Sequence, residues 1–168
     1  MPDPSELLAV ARLLAASGAG EAPTEAQLRR AVSTTYYALF HKVLRAGADR
    51  FMGTGNAARP GYALIYRGFS HGRMKVVCIP LDVAALSPTL QRQLGATAVS
   101  QEMRDFASDF VALQDARLRA DYDPQAVFIH SDAIDAVVQA ELALQAFDRT
   151  TPDERADVLA LMLAGARD

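Results

Sequence analysis

Hydrophobic residues recur every three to four positions along most of the chain, and no run of alternating β-branched residues marks a strand. This pattern predicts an all-α fold, an up-down bundle of four to five main helices with a short C-terminal helix. The first helix is expected to open at Ser5 and to end in the SGAG segment around Gly18 and Gly20.

The second predicted helix is the most informative one. Thr24 and Gln27 have the spacing of a capping box, which predicts a helix start there, and Gly47 is expected to end the helix. Between Ala31 and Leu44 the segment is apolar on more than one face. We therefore expect a central helix with partners packed on several sides, and we call it the hub helix.

Glycine and proline interrupt the pattern after the hub helix. Residues 48–61 lack periodicity and are predicted to form a loop, whereas residues 62–78 are compatible with a helix weakened by Gly68 and Gly72. In an alternative interpretation, these two glycines mark a bend. Pro80 is expected to end the segment.

The C-terminal half of the chain carries clear helix start and stop signals. Ser87 is expected to cap a short helical turn, and residues 100–122 form a long helix. Ser131 is the predicted cap of the next helix. A capping box at Thr151 opens the last helix, which is expected to end at Gly165.

Length and composition restrict the class of protein. The chain has 168 residues, enough for one domain with a buried core, and we take residues 1–168 as a single domain. Its one cysteine, Cys78, cannot form an internal disulfide, and no apolar run approaches the roughly 18 residues of a membrane span. With no secretory signal, we expect a cytoplasmic protein. Neither a metal site nor a cofactor motif is recognisable.

Basic residues concentrate in one third of a chain whose formal net charge is −3. Residues 26–81 hold nine cations and one carboxylate, a net charge of +8, so the remainder carries −11. This asymmetry favours a face that meets a polyanion such as RNA. Alternatively, the basic side chains pair with the acidic helices. The nine cations are Arg29, Arg30, Lys42, Arg45, Arg50, Arg59, Arg67, Arg73 and Lys75.

Arg67 and His71 are the candidate catalytic residues. Metal-independent RNA cleavage needs a base for the ribose 2′-OH, an acid for the leaving oxygen and a cation for the phosphorane, and histidine and arginine can supply these roles. If their segment is helical, the four-residue spacing stacks the two side chains on one face. Arg45, Arg73 and Lys75 would then steer phosphates. In the alternative, His71 makes only a structural hydrogen bond at a bend.

A second group of polar residues is expected to be structural. The apolar stripe of the long helix continues in register to Arg117, so its guanidinium should point into the bundle and needs a partner there. Asp121, one turn on, and Tyr122 complete this cluster, which would lock the long helix to the hub helix through Tyr37 or His41. The alternative role for Arg117 is to hold a nucleotide phosphate.

Two separated segments carry a resemblance to a known family. Residues 29–41 (RRAVSTTYYALFH) contain an Ala-x-x-x-x-Tyr-Tyr-Ala-x-Phe-His pattern, and residues 117–124 (RLRADYDP) contain Arg-x-x-Ala-Asp-Tyr. Both are similar to motifs of the HEPN superfamily, and the resemblance extends over residues 24–163. It implies a helical bundle that commonly dimerises and is often a ribonuclease of toxin-antitoxin or antiphage systems, sometimes a catalytically silent companion.

The resemblance leaves two functions open. Ribonuclease members of the family carry an Arg-x(4–6)-His motif, whereas no arginine here has a histidine five to seven positions after it, and Arg67 and His71 enclose three residues. The first hypothesis is an RNA-directed module with metal-independent endoribonuclease activity. The second is a non-catalytic dimeric bundle that binds a nucleotide or a protein, such as a cognate antitoxin or a nucleotidyltransferase-like protein.

Overall fold

The prediction of an all-α bundle is confirmed. The computed structural model describes residues 1–16 and 22–165, and within these ranges it contains helices and no strand. Five helices of 12 to 28 residues make the body, and three of seven to nine residues connect them. The helices are α1 (Pro4–Ala15), α2 (Glu25–Met52), α3 (Pro60–Gly68), α4 (His71–Cys78), α5 (Pro88–Leu94), α6 (Gln101–Tyr122), α7 (His130–Arg149) and α8 (Pro152–Ala164).

Helix α2 is the hub helix that the sequence predicts. The side chain of Thr24 accepts a hydrogen bond from the backbone of Gln27, and the Gln27 side chain accepts one from the backbone of Thr24, so the capping box is confirmed. The helix packs against α1, α3, α6, α7 and α8. Leu39 and Val43 are 0% exposed because neighbours cover α2 on several sides.

The prediction that Gly47 ends the hub helix is wrong. Helix α2 continues to Met52, and Gly53 with φ of 85° follows it. Gly47 serves packing instead, because a Cβ there would lie 2.3 Å from Cζ of Phe69. The predicted loop 48–61 is correspondingly shorter, since its first residues belong to α2 and α3 begins at Pro60.

Residues 62–78 do not form one helix. The chain leaves α3 at Phe69 and Ser70, which both have extended backbone angles, and enters α4 at His71. Phe69 is 5% exposed because its ring turns inward onto Gly47. The break therefore lies between the two glycines, as in the alternative interpretation, and burial of an aromatic ring accompanies it.

Two predicted helix starts are shifted. Helix α1 begins at Pro4 with Asp3 as its cap, because the Asp3 carboxylate accepts a hydrogen bond from the backbone of Ser5. Helix α7 begins at His130 rather than after a Ser131 cap, and the Asp132 carboxylate accepts a hydrogen bond from the backbone of Ile129. The predicted end of the first helix at Gly18 and Gly20 lies outside the described residues.

The cap at Ser87, the start of the long helix and the end of the last helix at Gly165 are confirmed, whereas the capping box at Thr151 is only half formed, because the Glu154 carboxylate binds Ser100 instead. Ser87, Ser100 and Thr151 each accept a capping hydrogen bond at the start of α5, α6 and α8. Gly165, with φ of 85°, follows α8. Cys78 is fully buried, and its burial raises the pKa of the thiol. Among the described helices, none has the length and apolar character that crossing a membrane requires.

Candidate functional site: an imidazole cluster on the hub helix

Two of the three histidines lie together where α2 faces the end of α3 and the start of α4. Their rings, three tyrosine rings and one guanidinium form what we call the imidazole cluster. Its members are His41, His71, Tyr36, Tyr37, Tyr66 and Arg117.

His71 is held from two sides. Its Nδ1 lies 2.7 Å from the hydroxyl of Tyr36, and its ring stacks on that of Phe40 with centroids 3.8 Å apart. Gln114 on α6 donates a hydrogen bond to the backbone carbonyl of His71. Burial, followed by the charge of Arg117, lowers the pKa of His71. The imidazole is therefore neutral near pH 7. Its contacts with Tyr36 and Phe40 fix its position in the first turn of α4.

His41 makes the equivalent contact with α3. Its Nδ1 lies 2.6 Å from the hydroxyl of Tyr66, and the two rings are stacked with centroids 6.0 Å apart. Burial lowers the pKa of His41, as it does for His71. Two neutral imidazoles thus attach α3 and α4 to the same stretch of the hub helix.

Arg117 joins α6 to the hub helix. Its Nη2 donates a hydrogen bond to the hydroxyl of Tyr37 over 2.7 Å, and the guanidinium lies over the rings of Tyr37 and Tyr122. Asp121 Oδ2 is 2.8 Å from Arg117 Nε as an ion pair, but the alignment is too poor for a hydrogen bond. The structure thus brings together Tyr37, Arg117, Asp121 and Tyr122, while His41 bonds to Tyr66 instead.

The two candidate catalytic residues, Arg67 and His71, do not lie on one face of a single helix. Arg67 lies in the last turn of α3 with its side chain exposed, and His71 begins α4 beyond the extended residues. Within the described ranges, Arg67 has no hydrogen-bond or ion-pair partner. The helical i, i+4 stacking of Arg67 and His71 is therefore wrong, because the helix that it requires is broken.

The three predicted phosphate-binding side chains have partners within the fold. Arg45 forms an ion pair of 2.9 Å with Asp3, and Lys75 forms one with Asp115. Arg73 donates a hydrogen bond of 2.6 Å to the backbone carbonyl of Leu163. The contacts of Arg45 and Lys75 correspond to the alternative interpretation, in which basic residues pair with the acidic part of the chain, whereas Arg73 binds a backbone carbonyl.

Arg29 also serves the fold. Its guanidinium donates hydrogen bonds to the backbone carbonyls of Ala120, Asp123 and Ala126, where α6 ends, and it pairs with Glu25. Sequence reasoning counted Arg29 only as surface charge. No local signal identifies its role, because the carbonyls that it binds are more than 90 positions away.

Cations without a partner in the described ranges are spread over the surface. Arg30 and Arg50 are exposed at opposite ends of α2, about 30 Å apart at 1.5 Å per residue. Arg59 precedes α3, and Arg67 lies in its last turn. Free positive charge therefore does not concentrate around the imidazole cluster.

The cluster can accept or donate protons through two neutral imidazoles, and Arg117 adds a fixed positive charge. In the part of the chain that the structure describes, no three His, Cys, Asp or Glu side chains are arranged to hold a metal ion. Comparison with protein-family models, with curated proteins and with solved structures found no match in any of the three. The likeness to HEPN proteins thus rests on two sequence segments and stays a prediction.

Proposed function

We propose that this chain is a HEPN-type helical module that acts by binding a protein partner rather than by cleaving RNA. The observation that carries the proposal is an apolar stripe on the outer face of α7. Ile134, Val138 and Leu142 are 40%, 49% and 54% exposed, and their four-residue spacing aligns them on one face. Contiguous exposed apolar side chains of this kind are typical of interaction surfaces.

The charges beside the stripe favour a partner other than a second copy. Asp135 is exposed next to Val138, and Glu141 on the other flank is bound by Arg12. In an antiparallel pair of α7 helices centred on Val138, each flank meets the same flank of the other copy, so Asp135 would lie near Asp135 and Glu141 near Glu141, and like charges disfavour such contacts. The partner is therefore a protein with an apolar helix flanked by basic residues, in the role that an antitoxin or a nucleotidyltransferase has for HEPN proteins.

The absence of catalysis in this proposal is supported by the contacts that the candidate catalytic and phosphate-binding residues make within the fold. His71 is stacked on Phe40 and bonded to Tyr36, and Arg67 belongs to a different helix. Arg45 and Lys75 are neutralised by carboxylates. A catalytic base and its phosphate-binding cations would need to be open to the substrate.

Co-expression with the product of a neighbouring reading frame tests the proposal. Light scattering after size exclusion should give the mass of a complex for the native chain. Val138→Glu should abolish that complex, because it buries a charge in the interface. Leu13→Glu is the matched control: Leu13 is 75% exposed on α1, so this variant should retain the complex.

Two outcomes contradict the proposal. If Val138→Glu retains the complex with a native-like circular dichroism spectrum, α7 is not the docking face. If the native chain alone has the mass of two copies and Val138→Glu that of one, the stripe mediates a homodimer rather than a complex with another protein.

The second candidate is the RNA-directed metal-independent endoribonuclease. It is favoured by the proximity of Arg117 to His71, whose pKa it helps to lower, since a neutral imidazole can take the proton of a ribose 2′-OH. Incubation of RNA with the purified chain and a chelator distinguishes the two functions. Intact RNA supports the interaction module, whereas cleavage that is lost in a folded His71→Gln variant supports the endoribonuclease.

A further inference from the structure

A cleft lies away from the imidazole cluster, between the C-terminal half of α2, the end of α7 and the start of α8. This cleft, which we call the α2–α8 cleft, has a volume of about 340 Å³. Four cations and two carboxylates line it, and the Asp3 carboxylate pairs with one of these cations, Arg45, so one positive charge is left in excess. These charged residues are Lys42, Arg45, Arg50, Arg155, Asp49 and Asp148.

Apart from Thr54, the uncharged residues of the cleft are apolar. Ala46, Pro152 and Ala156 supply the accessible apolar lining, while Phe147 and Leu159, 0% and 1% exposed, lie beneath it. Positive charge above an apolar floor suits a ligand that has both an anionic group and a hydrophobic part.

Hydrogen bonds fix the Arg155 guanidinium in place and leave some of its N–H donors unused. Its Nε and Nη2 donate to Thr150 Oγ1, Thr150 O and Asp148 O over 2.7 to 3.0 Å, and its guanidinium lies over the ring of Phe147. Among the described residues no acceptor is bonded to its Nη1. The two Nη1 hydrogens of a pre-positioned guanidinium are thus available to a ligand.

The carboxylates of the cleft are already engaged. Both oxygens of Asp148 are within 2.8 Å of Lys42 Nζ, and Asp49 Oδ1 accepts a hydrogen bond from the hydroxyl of Tyr62. Arg50 is exposed at the cleft and, in the described ranges, has no hydrogen-bond or ion-pair partner. Arg50 and the pre-positioned Arg155 are therefore the two cations of the cleft that no carboxylate pairs with in the described ranges.

We propose that the α2–α8 cleft binds a small organic phosphate monoester. Arg155 and Arg50 hold the phosphate, since neither has a carboxylate partner in the described ranges and guanidinium groups bind phosphate oxygens in pairs. The organic group rests against Ala46, Pro152 and Ala156. The cleft shares no residue with the stripe on α7, so this site is independent of the proposed protein partner.

Calorimetric titration of the full chain with phenyl phosphate tests the site. Phenyl phosphate should bind more tightly than inorganic phosphate, which lacks the apolar part, and than benzenesulfonate, which carries one charge less. Arg50→Ala should weaken phenyl phosphate binding about tenfold, the loss expected for one charge-assisted hydrogen bond. Arg59→Ala removes an exposed arginine outside the cleft and should leave the affinity unchanged.

Three results overturn the proposal. The first is that phenyl phosphate gives no saturable heat with the native chain. The second is that benzenesulfonate or inorganic phosphate binds equally well, which means unspecific attraction to positive charge. The third is that Arg50→Ala and Arg59→Ala have the same effect. Because both arginines are exposed, neither substitution endangers the fold.

Discussion

The rings of His71 and Phe40 stack with centroids 3.8 Å apart and an interplanar angle of 21°. Phe40 belongs to the hub helix and His71 begins α4, so this contact fixes the short helix against the long one. The Tyr36 hydroxyl, from one turn earlier on α2, completes the attachment through Nδ1. An imidazole that holds two helices together in this way has a structural role that substitution can measure.

Replacing His71 with leucine should lower the free energy of unfolding. The stack would be altered, and the hydroxyl of Tyr36, a residue that is 0% exposed, would lose its partner, at a cost of about 1–3 kcal/mol. Urea denaturation followed by circular dichroism measures the difference. His130→Ala, at an exposed position, should change stability by less than about 0.5 kcal/mol. Equal midpoints for the two variants would mean that the His71 contacts do not stabilise the fold.

Stability should decrease on mild acidification. Burial lowers the pKa of His71 and of His41 below the usual value of 6.5, so the unfolded chain binds more protons than the folded chain between that value and the folded-state pKa. The free energy of unfolding therefore falls as the pH drops through this window and levels off below it. One such group contributes at most about 1.4 kcal/mol per pH unit, and partial exposure of the imidazole reduces this.

The His71→Gln variant isolates one contribution to this pH dependence. Urea denaturation of both proteins at pH 7.5 and pH 5.5 should show a smaller loss of stability for the variant, because the other titrating groups are common to both. A steeper loss in the variant would contradict the lowered pKa of His71.

Gly47 and Gly72 should respond in opposite ways to alanine. A Cβ at Gly47 would lie 2.3 Å from Phe69 Cζ, so Gly47→Ala forces the ring or the helix to move and should cost about 1–3 kcal/mol. A Cβ at Gly72 has no neighbour within 4 Å, and alanine there should stabilise α4 by up to about 1 kcal/mol. Thermal unfolding of both variants makes the comparison, and a Gly47→Ala melting temperature at or above that of Gly72→Ala would contradict it.

The contact between Arg117 and Tyr37 can be measured as a coupling energy. Arg117→Met and Tyr37→Phe each remove one partner of the 2.7 Å hydrogen bond and retain most of the side-chain volume. The double-mutant cycle should give a coupling of about 1 kcal/mol or more, since the bond involves a charged donor. Additive effects would show that the contact does not link α6 to the hub helix energetically.

The parts of the fold that depend on residues close together in the sequence were predictable from the sequence. The capping box of Thr24 and Gln27 and the cap at Thr151 lie within single turns, and the structure has both. Gly47 shows where such reasoning fails. A glycine inside a helix can end it or admit a neighbour, and the neighbour here is Phe69, 22 positions away.

In the imidazole cluster, too, local features were predictable from the sequence and contacts between distant residues were not. Arg117 was expected to point inward from the register of its own helix, and Tyr37 was named among its partners. The sequence did not identify Tyr36 as the partner of His71 or Tyr66 as the partner of His41. These pairs join α2 to α4 and to α3, and hydrophobic periodicity does not reveal the break between those two short helices. The pairing of Arg45 with Asp3 likewise depends on how α1 lies along α2.

The amino-acid sequence by itself determined the all-α class, the central position of the hub helix and the starts of α2, α5, α6 and α8, because helical periodicity and capping are local interactions. Only the tertiary structure decided the environment of each charged or titratable side chain: His71 against Phe40, Lys75 with Asp115, and Arg155 beside a cleft with two donors free. The physical reason is that burial and pairing depend on residues distant in the chain, and these two effects control whether a cation or an imidazole is available to a ligand.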